Sequence, residues 1–478
     1  MSIDPAPQAS PSRLPRYVGT TAAALFVISL ALFWPGIATY DTVAQYRQVL
    51  SGIYDDWHPP AMVRVWTVIA SLGPGAVPML VLQLATYWAG LGLLAGTLAR
   101  TSRPRGALAI LAIGILPPFL GWQVVVLKDA QLAGALLGTV GLIGWWRLRN
   151  RPVPRLAWIP VGLLLVYAVL VRANAVFAVV PLVVMLVPRP ARPLAKLVTG
   201  VVATLLVLGI APIVNHRLLH AEASGVERTQ ALYDLAGIAA RMPDDSAIGL
   251  TAAEADTVIA RHCASPYFWD PLGDDAHCGV TMARLRSLPV GELYAALGRS
   301  ALHHPLAYAA HRLAHLNSTD RWLVPFQWPG AAPAADSEPN TLGLASPGAG
   351  ARAWQAMTAD VIETPLGWPI AWIVAAIAGL AVGTTRQRDA VRDMASALLI
   401  SALTVEASFA VLSIASDVRY HLWSMIATAV ATVLLADRPP PTRIARFATT
   451  ALLLIVGTGI VARIALPRSP QTYAGMLG

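Results

Sequence analysis

The sequence predicts an all-α polytopic membrane protein, and three observations carry that reading. Of the 478 residues, 56% are hydrophobic and only 13% charged, about half the ~25% charge of a soluble domain. The mean hydropathy is +0.58. Apolar runs of about 20 residues, the length that crosses a ~30 Å hydrocarbon core as a helix, recur along the chain. This composition excludes a disordered chain, collagen, a coiled coil and a disulfide-rich mini-protein. The formal net charge of +9 does not mark a nucleic-acid binder, because the basic residues sort by membrane side. Only Lys128 and Lys196 are lysines among the 35 basic residues, so an arginine carries little functional weight by itself.

About eleven spans are expected, near 17–37, 75–99, 106–124, 129–147, 156–172, 175–188, 195–214, 366–384, 393–414, 420–437 and 447–464. Orientation follows the excess of Lys and Arg in short cytoplasmic loops. One set of loops holds Arg13, Arg16, Arg100, Arg103, Arg105, Arg147, Arg149, Arg151, Arg155, Arg189, Arg192, Lys196, Arg386, Arg388, Arg392, Arg438, Arg443 and Arg446. The short loops opposite hold only Arg47, Arg64, Lys128, Arg172 and Arg419. Residues 1–16 are thus a cytoplasmic tail, and the tail 465–478 lies outside. The first apolar run is longer than the core of a signal peptide, so it reads as a retained anchor.

The spans form an amino-terminal module over 17–214 and a carboxyl-terminal one over 366–464. Two segments outside the membrane exceed simple turns. In the first outer loop, 38–74, the run Pro59–Leu72 suits a helix lying on the interface. Residues 215–365 form an outer insertion with helical stretches at 226–241, 251–262 and 289–315, then a Pro/Gly/Ala-rich linker at 329–350. Its cysteines, Cys263 and Cys278, lie on the oxidising side and are expected to pair. No CxxC, HExxH or GxxxxGK[ST] motif and no internal repeat occurs.

Ionisable residues at the lipid boundary need a reason, and here they collect at the outer span ends. The first group is Tyr40-Asp41, Gln45 and Asp55-Asp56-Trp57-His58-Pro59-Pro60. Asp41 fits a helix cap or solvated acid as well as a functional carboxylate, and His58 fits a turn as well as a site. The second group is Lys128-Asp129, a local ion pair or else a phosphate cation beside a second carboxylate. The third is Arg172-Ala173-Asn174, whose arginine breaks the positive-inside pattern and therefore reads as functional. The fourth is Asp417-Val418-Arg419-Tyr420-His421, dense enough in polar and aromatic groups to line a site.

An acid after the first span, His-Pro-Pro opening an interfacial helix, a basic-acid pair before the fourth span and a late outer Arg-Tyr resemble the glycosyltransferase C (GT-C) superfamily. These polytopic enzymes take sugars from polyprenyl-phosphate carriers, and include the protein mannosyltransferases, aminoarabinose transferase and family-39-like enzymes. The resemblance covers the first six spans best and leaves 215–365 unmatched. It implies that Asp41 is a catalytic base or metal partner, and it carries over to His58-Pro59-Pro60 and Lys128-Asp129. Asp41 follows a tyrosine where many members have two adjacent acids, which leaves use of a divalent metal ion open.

The chemistry runs the same way from below. A polyprenyl donor keeps its tail in the bilayer and its phosphate at the interface. Lys128, Arg172 and Arg419, with Tyr420, would neutralise that leaving group. Asp41, with a pKa raised by desolvation, would deprotonate an acceptor hydroxyl, with Asp129 the second candidate. Tyr40, Gln45, His58, Asn174, Asp417 and His421 would line the pocket. Direct displacement predicts inversion. The expected partners are a polyprenyl-phosphate sugar, an extracytoplasmic glycan, lipid or protein acceptor, and membrane lipids. The expected location is the inner (plasma) membrane, with the site facing outwards. A transporter or flippase of lipid-linked sugars is the rival reading, since intramembrane charge is also its sign. An assembly module on an inert anchor is a third.

Overall fold

The computed structural model describes residues 13–187, 192–242 and 249–477. Residues 1–12, Pro188 at the end of the sixth expected span, and Arg189 lie outside the described residues. Among the described residues the chain is helical, with three isolated β-bridges and no strand. The first half runs α1 Leu14–Leu32, α2 Tyr40–Ser51, α3 Ala61–Ile69, α4 Val77–Arg100, α5 Pro104–Gly114, α6 Pro117–Gln123, α7 Lys128–Arg147, α8 Trp158–Val171, α9 Val176–Leu186 and α10 Pro193–Ile213. Then come α11 Thr229–Ala239, α12 Ala252–Ala260, α13 Ala283–Arg286, α14 Val290–His303, α15 Pro305–Asp320 and α16 Ala349–Ile362. The chain closes with α17 Pro369–Thr384, α18 Ala390–Leu412, α19 Leu422–Leu435, α20 Thr442–Ala465 and α21 Tyr473–Leu477.

Every one of the eleven expected segments is helical over its described residues, and the chain is a multi-pass membrane protein. Six helices are long and apolar enough to cross a bilayer, and α5 with α6, bent by 52° at Ile115–Leu116, would make a seventh. The expected spans at 156–172, 175–188 and 366–384 are shorter apolar helices. At the fourth, α7 meets the length but is glycine-rich and buried along most of its course. Its glycines serve close packing: a Cβ on Gly90 of α4 would stand 2.4 Å from the Leu137 backbone, and one on Gly141 would stand 2.6 Å from Gly90 O. Small residues let membrane helices approach in this way. By contrast α10 buries no residue, as suits a helix apolar all round and facing lipid.

The interfacial segment is α3 extended by a 3₁₀ turn, Ala70–Leu72. Met62, Val63 and Trp66 are buried while Val68 and Leu72 are exposed, so both faces are apolar but only one meets protein. Within 215–365, α11, α12 and α14 share an apolar core that includes Cys263 and Cys278, and these cysteines are disulfide-bonded. The Thr251-x-x-Glu254 capping box starts α12, as that spacing dictates. The single helix expected at 289–315 is instead two, because Pro305 cannot continue α14 and opens α15. The linker 329–350 is ordered over the bundle: Trp122 donates to Ala331 O, Ser337 Oγ accepts from Ala38 N, and Glu338 N donates to Ala38 O.

Candidate functional site

Two chain segments pair to build the site. Ile37 forms a parallel bridge with Val125, and Val126 N donates to Ile37 O. Thr42 Oγ1 then donates to Val126 O at 2.7 Å. This pairing sets the first turn of α2, with Asp41, beside the first turn of α7, with Lys128 and Asp129. Both carboxylates sit at helix amino termini, where the helix dipole favours negative charge. Thr39 caps α2, its N–H donating to Thr42 Oγ1. Asp41 is therefore not the cap. The turn 418–421 arrives from the other side, held by Val418 N donating to Gly330 O of the linker.

Asp41 Oδ2 accepts from Arg419 Nη1 at 3.0 Å and lies 4.0 Å from Lys128 Nζ. Arg419 Nε also donates to Asp417 Oδ2 at 2.9 Å and lies 4.0 Å from Asp129 Oδ2. Asp129 Oδ1 is paired with Arg172 Nη1. Arg172 Nε donates to Asn174 Oδ1 at 2.6 Å, and its guanidinium lies over the Tyr420 ring at 4.3 Å. Lys128 Nζ stands 2.6 Å from His58 Nδ1, and His58 Nε2 stands 3.7 Å from Asp41 Oδ1. The side chains of Asp41, His58, Lys128, Asp129, Arg172 and Arg419 are all 17% exposed or less. Three carboxylates face two guanidiniums and Lys128, whose ammonium is lowered by burial to about 7, so the cluster is close to neutral.

That balance reverses one expectation. Burial pushes the Asp41 carboxyl up, but Arg419, then His58 and Lys128, outweigh it and hold the group well below the usual carboxylate range. Burial, and then the Lys128 ammonium, lower His58 to about 3. His58 is thus neutral at pH 7, accepting from Lys128 at Nδ1 and turning its Nε2–H toward Asp41. Arg419 and Lys128 both face Asp41 Oδ2, while Oδ1 has His58 Nε2 3.7 Å away.

The structure brings together Asp41, His58, Lys128, Asp129, Arg172, Asn174, Asp417, Arg419 and Tyr420. Gln45 lies one turn after Asp41, 1% exposed, and both its amide atoms lack a hydrogen-bond partner. Tyr40 is 74% exposed and stands apart. His421 points the other way, into a buried group with Glu406, Thr319 and Asp320. Asp55 and Asp56 serve the loop: Asp56 Oδ1 accepts from Ser224 N and Oγ at 2.7 Å each, and Asp55 bridges to Glu222. Sequence reasoning missed Glu406, whose signal was an acid inside the apolar run 393–414. It also missed the linker, whose composition gave no sign that its backbone frames the site.

No protein-family model and no curated protein matches the chain. Among solved structures it is similar to the oligosaccharyltransferase AglB from Archaeoglobus fulgidus in complex with an inhibitory peptide and a dolichol-phosphate, at 15% identity and a TM-score of 0.38 over 95% of this chain and 56% of that one. It is similar to the apo Archaeoglobus fulgidus oligosaccharyltransferase at 14% identity and 0.39, with the same coverage of 95% and 56%. It is also similar to ArnT from Cupriavidus metallidurans bound to undecaprenyl phosphate, at 13% identity and 0.31 over 97% and 83%. The chain thus spans little more than half the length of the first two.

Proposed function

We propose that the chain is an integral-membrane glycosyltransferase of the GT-C type. In this reading it moves a sugar from a polyprenyl-phosphate carrier to an extracytoplasmic glycan, lipid or protein, with inversion. The observation that carries the proposal is the convergence of Arg172, Arg419 and Lys128 with Asp41 and Asp129 at one end of an apolar bundle. A lipid-borne phosphate needs such an address: its tail requires the bilayer and its charge requires cations at the edge. Arg172 and Arg419 supply planar donors for phosphate oxygens, and Lys128 supplies a point charge.

The near-neutral resting cluster suggests how donor and base are coupled. An arriving phosphate competes with Asp41 for Arg419 and Lys128. As those cations turn to the phosphate, the influence holding the Asp41 carboxyl low is withdrawn, and its basicity rises. Asp41 then takes the proton of the acceptor hydroxyl as the acceptor oxygen bonds to the anomeric carbon. The carbon–oxygen bond to the carrier phosphate breaks, and phosphate leaves with the electron pair. Asp129 holds Arg172, and the unpartnered Gln45 amide binds the acceptor. The inner membrane, with the site outward, is the location this reading requires.

The test is sugar transfer from polyprenyl-phosphate donors by the reconstituted protein, with mass spectrometry of its co-purifying lipids. Retained polyprenyl phosphate and a transfer product support the proposal. Retained carrier that crosses the bilayer without sugar transfer would instead make the protein a flippase.

A further inference from the structure

Beneath the turn that carries Arg419 and Tyr420 lies a second buried polar group, which the transferase reading does not use. Asp320 ends α15, Glu406 lies within α18 and His421 ends the 418–421 turn; they are 7%, 6% and 0% exposed. One ligand atom from each lies within 4.8 Å of the others. Other buried or half-buried carboxylates here meet an arginine: Asp41 with Arg419, Asp129 with Arg172, Asp234 with Arg312 and Glu363 with Arg321. Among the described residues, neither Asp320 nor Glu406 has an arginine or lysine partner; the one ion pair is His421 with Glu406. Asp320 has no ion pair among the described residues, and a buried carboxylate without one is costly.

The hydrogen bonds sharpen the point. His421 Nε2 is 3.0 Å from Thr319 Oγ1, and Nδ1 is 2.8 Å from Glu406 Oε2. Thr319 Oγ1 can accept from Nε2 or donate to it, so the 2.8 Å gap between Nδ1 and Glu406 Oε2 holds either the Nδ1 proton or a bound cation. Ser424 Oγ holds the other Glu406 oxygen, while Asp320 Oδ1 is buried with no hydrogen-bond partner. A proton in that gap satisfies His421 and Glu406 but leaves the buried Asp320 Oδ1 with no partner. A divalent ion would neutralise both carboxylates and engage the imidazole.

We propose that Asp320, Glu406 and His421 bind one divalent transition-metal ion of the zinc type, with Thr319 orienting the imidazole. One imidazole nitrogen and two carboxylate oxygens in a dry setting suit zinc. Calcium wants six to eight oxygens, and magnesium keeps several waters. The ion would tie α15 and α18 to the turn two residues from Arg419, and so fix the guanidinium that meets Asp41. The site is separate from the ionic cluster, and it stands whatever that cluster's reaction is.

The test uses the full-length protein in detergent, stripped with EDTA and then exposed to Zn²⁺. Metal analysis should give about one zinc per chain, and the melting temperature should fall on stripping and recover with zinc. Thr319→Val keeps the side-chain shape and should weaken zinc binding roughly 10–100-fold. Asp320→Asn should lose the stoichiometric zinc, while Asp41→Asn should keep it. Two results would overturn the proposal. One is well-folded wild type that holds no zinc and melts identically with and without EDTA, which would put a proton in the gap. The other is zinc bound equally by wild type, Thr319→Val and Asp320→Asn, which would place the metal elsewhere. Should the variants not fold, the wild-type stoichiometry and EDTA response still decide.

Discussion

Asp41 and Arg419 are 378 residues apart in sequence and 3.0 Å apart in space, so their roles can be separated one side chain at a time. Asp41→Asn keeps the shape but cannot take a proton, and transfer should fall about 10²–10⁴-fold. The melting temperature should fall too, because Arg419 and Lys128 lose a partly buried carboxylate, so turnover is compared among folded protein. Near-normal turnover would shift the base to Asp129. Arg172→Ala and Arg419→Ala should each weaken donor binding by about 1.5–3 kcal/mol, read by titration with a polyprenyl phosphate; unchanged affinity in both would make them anchors. His58 gives a pH signature. With its folded pKa lowered from 6.5 to about 3, the unfolded chain binds the extra proton, and stability falls as pH drops from 6.5 toward 3. Asp41, whose folded pKa is depressed, contributes stability above the ordinary carboxylate range and loses it only below. His58→Asn should therefore flatten the melting curve's pH dependence between 6.5 and 4. The charged members of the cluster were legible because hydrocarbon makes such residues rare. The direction of the Asp41 shift was not, since it depends on cations from α7 and from a turn near the far end of the chain.

At the scale of elements, α4 and α7 decide whether that cluster is assembled, because α7 begins with Lys128 and Asp129. Their glycines touch backbone to backbone, so Gly90→Val must drive the helices apart and should strongly lower the melting temperature. Gly162→Ala in α8, where an added Cβ meets nothing within 4 Å, should be neutral or stabilise by about 0.5–1 kcal/mol. Equal effects on thermal unfolding would sink the close-packing account. Apolar runs fixed where the helices lie, since a helix in lipid must satisfy its own backbone. They did not mark the break at Pro305. The linker 329–350 reads as a spacer by composition, yet it is held through backbone groups of Ala38, Gly330 and Ala331, which no side-chain pattern reports.

For the whole molecule, the two ends of the bundle differ in kind. The cluster occupies one end, where the segments around 37–41, 125–129, 172–174 and 417–421 meet. The loops expected to be cytoplasmic meet at the other: Arg103 and Arg386 both pair with Asp437, Arg386 donates to Leu435 O, and Arg100 and Arg149 lie over Trp145. α4 joins the two ends over 24 residues, about 36 Å at 1.5 Å per residue, enough for the hydrocarbon core. Arginines at one end and the ionic cluster at the other are what the positive-inside rule requires if that cluster faces outwards. The expectation is checked in intact cells with single cysteines placed in a variant lacking Cys263 and Cys278. Ala253→Cys, on the exposed side of α12, should react with a membrane-impermeant maleimide without permeabilisation. Arg151→Cys, exposed in the α7–α8 loop, should react only after it. The reverse pattern would turn the site to the cytoplasm, where an acceptor in the cell envelope could not reach Asp41, and the transferase would need an acceptor made inside the cell.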